Sequence, residues 1–237
     1  MSLLGPLDWQ AVALSARLAA ATTVILLVVA VPLAAWLATT RRRWAVGVEA
    51  VVALPLVLPP TVLGYYLLVA MGTRSPLGRL WADLTGSTLV FSFSGLLVAS
   101  VLYSLPFAVQ PLMTAYAGVD PRLLDAARTL GRSWLEVVVL VLLPLGRAGL
   151  ATAAVLTFAH TVGEFGVVLM VGGNIPGETR TVAVSVYDSV QAFDYATAGR
   201  TSLLLLVLSF AVLVATYALQ RSAGRGRRVP VGLRVGA

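Results

Sequence analysis

Leu18 to Thr40 contains no charged residue, and Arg17 stands just before it with Arg41, Arg42 and Arg43 just after. A helix rising 1.5 Å per residue over that length crosses about 30 Å of hydrocarbon. The chain is 237 residues long, 59% hydrophobic and only 11% charged, more apolar surface than a soluble domain can hide. Backbone polar groups inside a bilayer must be satisfied within the segment, so the expected fold class is all-α, a polytopic membrane protein. Further apolar segments lie at 46–71, 89–112, 148–171 and 201–219, which with 18–40 makes about five transmembrane helices. They form one transmembrane domain over 1–220, with a polar loop at about 115–146 and a basic tail at 221–237. Val137 to Leu145 is too short to cross and is read as a helix along or into the inner interface; a span beginning there would shift a boundary. The N-terminus carries Asp8 and no basic run, so the first apolar segment is expected to stay as a span rather than act as a signal peptide.

The arginines orient the chain. Five spans put the two ends on opposite sides. With the C-terminus inside, the interior receives twelve arginines, among them Arg41, Arg42, Arg43, Arg122, Arg128, Arg132 and Arg147. The exterior receives five: Arg17, Arg74, Arg79, Arg180 and Arg200. The positive-inside bias therefore predicts the N-terminus outside, the C-terminus in the cytoplasm, and the 115–146 loop in the cytoplasm as well. The net charge of +7 is spread over loops and forms no stripe, which argues against nucleic acid. All 17 basic residues are arginine. A phosphate-binding P-loop needs a lysine, so a standard ATP site must come from a partner. There is no cysteine, and one histidine is too few for a metal cluster, so no metal site is expected.

The polar loop has a pattern of its own. Asp120-Pro121 is a helix start. Leu123, Leu124, Ala127 and Leu130 follow at helical spacing with Arg122, Asp125, Arg128 and Arg132 between them, and Gly131 is placed to end the helix. By itself this is an amphipathic interfacial helix. Its continuation is more specific: Asp125-Ala126-Ala127, three residues, Gly131, nine residues, Val141, one residue, Leu143-Pro144. That spacing resembles the cytoplasmic "EAA" loop of permease subunits in ATP-binding-cassette importers, with Asp125 for the usual Glu and Val141 for the usual Ile. The resemblance implies the type I importer permease fold. It also implies that Asp125, Ala126, Ala127, Gly131, Leu143 and Pro144 couple the chain to an ATPase.

Two further regions stand out. LPLVLPPTVLGYY holds Pro55, Pro59, Pro60 and Gly64, which must bend or break the second span, either to line a pathway or as a structural kink. His160 and Glu164 are four residues apart in the fourth span and share a helix face, with Gly163 and Gly166 flanking Glu164 for close helix approach. An ionisable residue there marks a gate or lining position, or is a buried packing group. Outside, VGGNIPGETRT specifies a tight turn carrying Asn174, Glu178 and Arg180, either a docking surface or a solvated connector.

In that order, LPLVLPPTVLGYYLL, GVDPRLLDAARTLG, GEFG and NIPGETRT resemble the permeases of molybdate importers, from Asp8 to the fifth span. Sulfate/thiosulfate permeases are the near alternative, and tungstate is a possible second cargo. An additional N-terminal span found in some molybdate/tungstate permeases is not evident here. The resemblance implies a homodimer in the cytoplasmic membrane of a prokaryote, served by two cytosolic ATPases and an extracytoplasmic oxyanion-binding protein. Cofactors are then none in this chain, with ATP and Mg on the ATPase. The five outer arginines would favour entry of a dianion, pair with the binding protein, or be solvated rim charges. An ion-gradient-driven transporter would be expected to show paired internal repeats. An intramembrane enzyme needs a nucleophile or metal set, and the sequence displays neither.

Overall fold

A computed structural model describes residues 7–225, whose regular structure is helix joined by turns, with no strand among the described residues. Asp8 caps the first helix, α1 (Trp9–Thr39), by accepting from the Ala11 N–H at 3.0 Å. The second apolar segment is two helices, α2 (Ala45–Val57) and α3 (Pro60–Met71), bent by 111°. Proline disfavours helical backbone in the residue before it. Leu58 precedes Pro59 and Pro59 precedes Pro60, and both are extended, with ψ of 133° and 134°. Pro55 leaves α2 continuous.

A short amphipathic helix, α4 (Pro76–Thr85), connects to α5 (Phe93–Ala117), which Ser92 caps. α5 continues through Pro106 and Pro111 without a break. Then come α6 (Pro121–Thr129), α7 (Trp134–Val137), a π-helical turn over Val138–Leu142, and α8 (Leu143–Leu145). The wide turn closes with the Leu143 N–H donating to the Val138 carbonyl, just ahead of Pro144, which has no N–H to give. Trp134–Leu145 meets α9 (Arg147–Gly163) at 82°, so the short apolar stretch 137–145 runs nearly at right angles to the span that follows.

The fourth segment, expected as one span over 148–171, is α9 and α10 (Gly166–Gly172), interrupted at Glu164-Phe165. After α11 (Val182–Gln191), α12 (Tyr195–Arg225) begins six residues before the expected fifth span and continues into the expected tail. The rest of that tail, 226–237, lies outside the described residues. α1, α5 and α12 are each long and apolar enough to cross a membrane, and the two bent pairs bring the number to five.

Three packing clusters fix the polarity of the bundle. Leu18 of α1 packs with Leu96 of α5, Val168 of α10 and Val184 of α11. At the other end, Ala34 and Ala35 pack with Leu112 and Tyr116 of α5 and with Val119, Leu124, Val138 and Leu142 of the polar loop. α1 and α5 are therefore parallel. Met71, Leu89, Ala99, Val167 and Val171 form a third cluster that ties α3 and α10 to the α5 start. The 120–145 loop and the 173–181 turn thus occupy opposite ends. Large apolar side chains of α12, such as Leu206 and Phe210, are mostly exposed, as a lipid-facing helix requires.

Candidate functional site

At the loop end, Asp120 accepts from the Arg122 N–H at 2.9 Å and starts α6. Gly131, at φ 75°, ends it: its N–H donates to the Arg128 carbonyl at 2.9 Å and the Arg132 N–H to the Ala127 carbonyl at 3.2 Å. This is a Schellman motif, which requires left-handed backbone at its glycine. Leu124 is buried in the main core and Ala127 packs against it. Leu123 and Leu130, expected on that same side, are instead 49% and 79% exposed. Ala126 and Asp125 are also exposed, and Asp125 is paired loosely with Arg128 at 3.4 Å. The α6 helix therefore has one face fixed in the bundle and one apolar face free, with Asp125 exposed outside both.

A capping box follows. Ser133 accepts from the Glu136 N–H at 3.4 Å, and the Glu136 carboxylate accepts from the Ser133 N–H and from Arg132, both at 2.8 Å. The Ser133 backbone N–H, then the Arg132 guanidinium, hold the Glu136 carboxyl down at about 2, so this corner stays charged at any cellular pH. Leu143 is half-buried and Pro144 exposed; they shape the corner into α9 and are not part of the α6 face. Beyond them Gly146 lies against the Tyr116 ring and Gly149 against Ala115, where a Cβ has no room. The loop is thereby seated on α5 at both its exit and its return.

Midway along the bundle the two broken spans meet. A Cβ at Gly64 would stand 2.7 Å from Met170 Cβ and 3.3 Å from Val167 Cα, and one at Gly166 would stand 2.7 Å from Pro60 Cβ. Pro60, Gly64 and Gly166 thus form one seam between α3 and α10, while Pro59 is the corner residue above it. Gly163, expected to share in close approach, has open space around its Cβ position. Glu164 sits in the break, 3% exposed, and the Ser100 hydroxyl of α5 lies beside its carboxyl as a donor.

His160 is one turn back. Its Nδ1 is 3.0 Å from the Ser104 hydroxyl, which is also 3.0 Å from that of Thr161, and its ring stacks on Phe107 at 3.9 Å. The structure therefore places His160 and Glu164 in adjoining but separate surroundings. The Ser104 and Thr161 hydroxyls around His160 carried no special pattern in the sequence.

At the far end Asn174 accepts from Arg180 Nε at 2.6 Å, and Arg180 reaches Asp188 of α11 at 3.4 Å. The Ile175 carbonyl collects the N–H groups of Glu178, Thr179 and Arg180. Glu178 points away, exposed, so of the three residues singled out in this turn two are joined and one is free for a partner. Asp188 was not singled out in sequence, because its link to Arg180 spans two elements. Among the described residues no three His, Cys, Asp or Glu side chains gather as a metal site.

Residues 30–228 match the family described as the binding-protein-dependent transport system inner membrane component. The molybdenum transport system permease protein ModB of Azotobacter vinelandii is 54% identical over 214 residues, 90% of this chain and 95% of that protein. The Escherichia coli K12 protein of the same name is 39% identical over 184 residues, 78% and 80% of the two chains. Among solved structures, a bacterial alginate ABC transporter superposes with TM-score 0.69 at 14% identity, over 90% of this chain and 78% of that one. The MetNI methionine ABC transporter gives 0.68 at 19%, over 91% and 94%. At those identities the structures speak for the fold, which is that of ABC importer permeases.

Proposed function

Since the chain belongs to the inner-membrane components of binding-protein-dependent transport systems, we propose that it is the permease subunit of an ATP-driven molybdate importer. Relatives at 54% and 39% identity that bear the name of molybdenum permeases support the cargo. The observation that carries the mechanism is the seating of α6: Leu124 and Ala127 sit in the core that joins α1, α5 and α9, while Leu123, Ala126 and Leu130 face outward.

An ATPase that grips the outward face moves a body continuous with three spans. In this reading the chain breaks no bond and has no ATP site; ATP and Mg act on two cytosolic ATPase subunits, gripped by two copies of this chain. Two copies give two-fold related loops, one for each ATPase. The loop end is then cytoplasmic, as the distribution of arginines supports, and the N-terminus lies outside. The 173–181 turn at the opposite end, with Glu178 outward, faces an extracytoplasmic oxyanion-binding protein.

ATP binding shifts the transporter only so far as it favours one state over the other. The places where this bundle is built to give are its two breaks, Leu58-Pro59 and Glu164-Phe165, joined through the Gly64–Gly166 seam. We assign these to the pathway gate. Uptake of labelled molybdate in cells with and without the chain, with excess sulfate as competitor, tests the proposal. Chain-dependent uptake that sulfate barely reduces is expected. Uptake abolished by sulfate reassigns the cargo to sulfate, and uptake independent of the chain removes the molybdate assignment.

A further inference from the structure

A cavity of about 200 Å³ lies under the corner between α1 and α2, lined by Leu37, Glu49, Val52, Val109, Gln110 and Thr114 among others. At about 30 Å³ per water, it has room for a small polar group but not for a lipid's acyl chains. Three observations bear on what fills it. Glu49 is the only charged residue between Trp44 and Met71, it is exposed to the cavity, and no ion pair engages it among the described residues. An ionisable group in an apolar span calls for a partner.

The corner over the cavity, between Leu37 and Glu49, is Arg41-Arg42-Arg43, all exposed and likewise outside any ion pair among the described residues. The Trp36 and Trp44 rings meet at 4.8 Å, tilted by 36°, across that corner, and tryptophans of this kind sit at the headgroup level of a bilayer. Below them α2 turns Val46, Val51 and Leu54 outward, at 70%, 67% and 49% exposure, as a surface for acyl chains.

We propose that this corner is a binding site for a zwitterionic aminophospholipid. The arginines hold the phosphate, and the ammonium enters the cavity to meet the Glu49 carboxylate, with Gln110 and Thr114 beside it as acceptors. Positive charge outside and negative charge within the cavity match a headgroup whose phosphate precedes its amine. An anionic phospholipid satisfies the arginines and leaves Glu49 unpaired. The site is independent of the cargo assignment.

The test is native mass spectrometry of the full-length chain, purified from membranes with the subunits that accompany it, delipidated and titrated with phosphatidylethanolamine or phosphatidylglycerol of matched chains. Phosphatidylethanolamine should be retained about fivefold better, the scale of one charge contact at a membrane surface. Glu49→Gln should remove the preference, and Glu178→Gln, exposed at the opposite end, should keep it. Equal retention of the two lipids overturns the proposal, as does a preference unchanged in Glu49→Gln. So does free phosphoethanolamine competing at the lipid's own concentration, which reassigns the cavity to a soluble amine. No lipid retained at all also overturns it and points to a second copy covering the corner.

Discussion

Glu164 is buried to 3% exposure with the Ser100 hydroxyl as the donor beside it, in a fold that satisfies its neighbour His160 through Ser104. A packing carboxyl would be expected to hold hydrogen bonds, because a buried polar group without them costs about 1–3 kcal/mol. One hydroxyl, that of Ser100, offsets little of the cost of burying a carboxyl, so Glu164 contributes little to the stability of this state. Replacing it with Leu should leave the melting temperature of the purified protein unchanged or raise it, while molybdate uptake falls at least about tenfold, the loss of roughly one charged hydrogen bond made in another state. Glu164→Gln should lose uptake to a similar degree. A melting point that drops in Glu164→Leu and is restored in Glu164→Gln, with uptake following stability, would make Glu164 a packing residue.

At the scale of elements, the two interrupted spans are the most informative part of the fold, and they were unequally legible. Pro59-Pro60 announces its break because each proline forces the residue before it out of the helix. The break at Glu164 has no proline; it lies between Gly163 and Gly166 in a segment apolar enough to read as one span, and what holds it open is contact between α10 and α3, which no local pattern displays. The spacing of α6 gave its start and its glycine stop. It did not give which leucines face inward, since Leu123, Leu124 and Leu130 are equal in sequence and are separated only by where α5 lies.

The seam makes a test with an internal contrast. Gly64→Leu forces α3 away from Met170 and Val167 and should destabilise the protein by about 1–3 kcal/mol, as overpacking does, and abolish uptake. Gly163→Ala, with open space at its Cβ, should leave thermal stability unchanged. Thermal unfolding in detergent checks both, and equal effects would remove the seam from the account.

For the whole molecule the question is how a force at one end reaches the other. The bundle is asymmetric in a useful way: the α6 end is a single core in which Leu124, Val138 and Leu142 of the loop join α1, α5 and α9. The opposite end is divided between smaller clusters around Leu18 and around Met71. Motion applied to α6 is therefore shared by three spans at the loop end and divided among separate clusters at the other, and the two breaks between the ends allow relative displacement.

The proposed coupling assigns the ATPase contact to Leu123, Ala126 and Leu130, apolar groups left exposed on α6, with Asp125 also exposed on the same helix. Leu123→Asp with Leu130→Asp removes that apolar face without touching the core. The double variant should insert into the membrane and melt within about 0.5 kcal/mol of the parent, the usual span for surface substitutions. It should nevertheless lose the ATPase on affinity purification, and with it ATP-driven uptake. Leu124→Asp, one residue away but buried, should instead fail to accumulate as a folded protein. If the double variant still carries its ATPase through purification and still transports, the outward face of α6 is not the contact, and the transmission path must begin elsewhere in the loop.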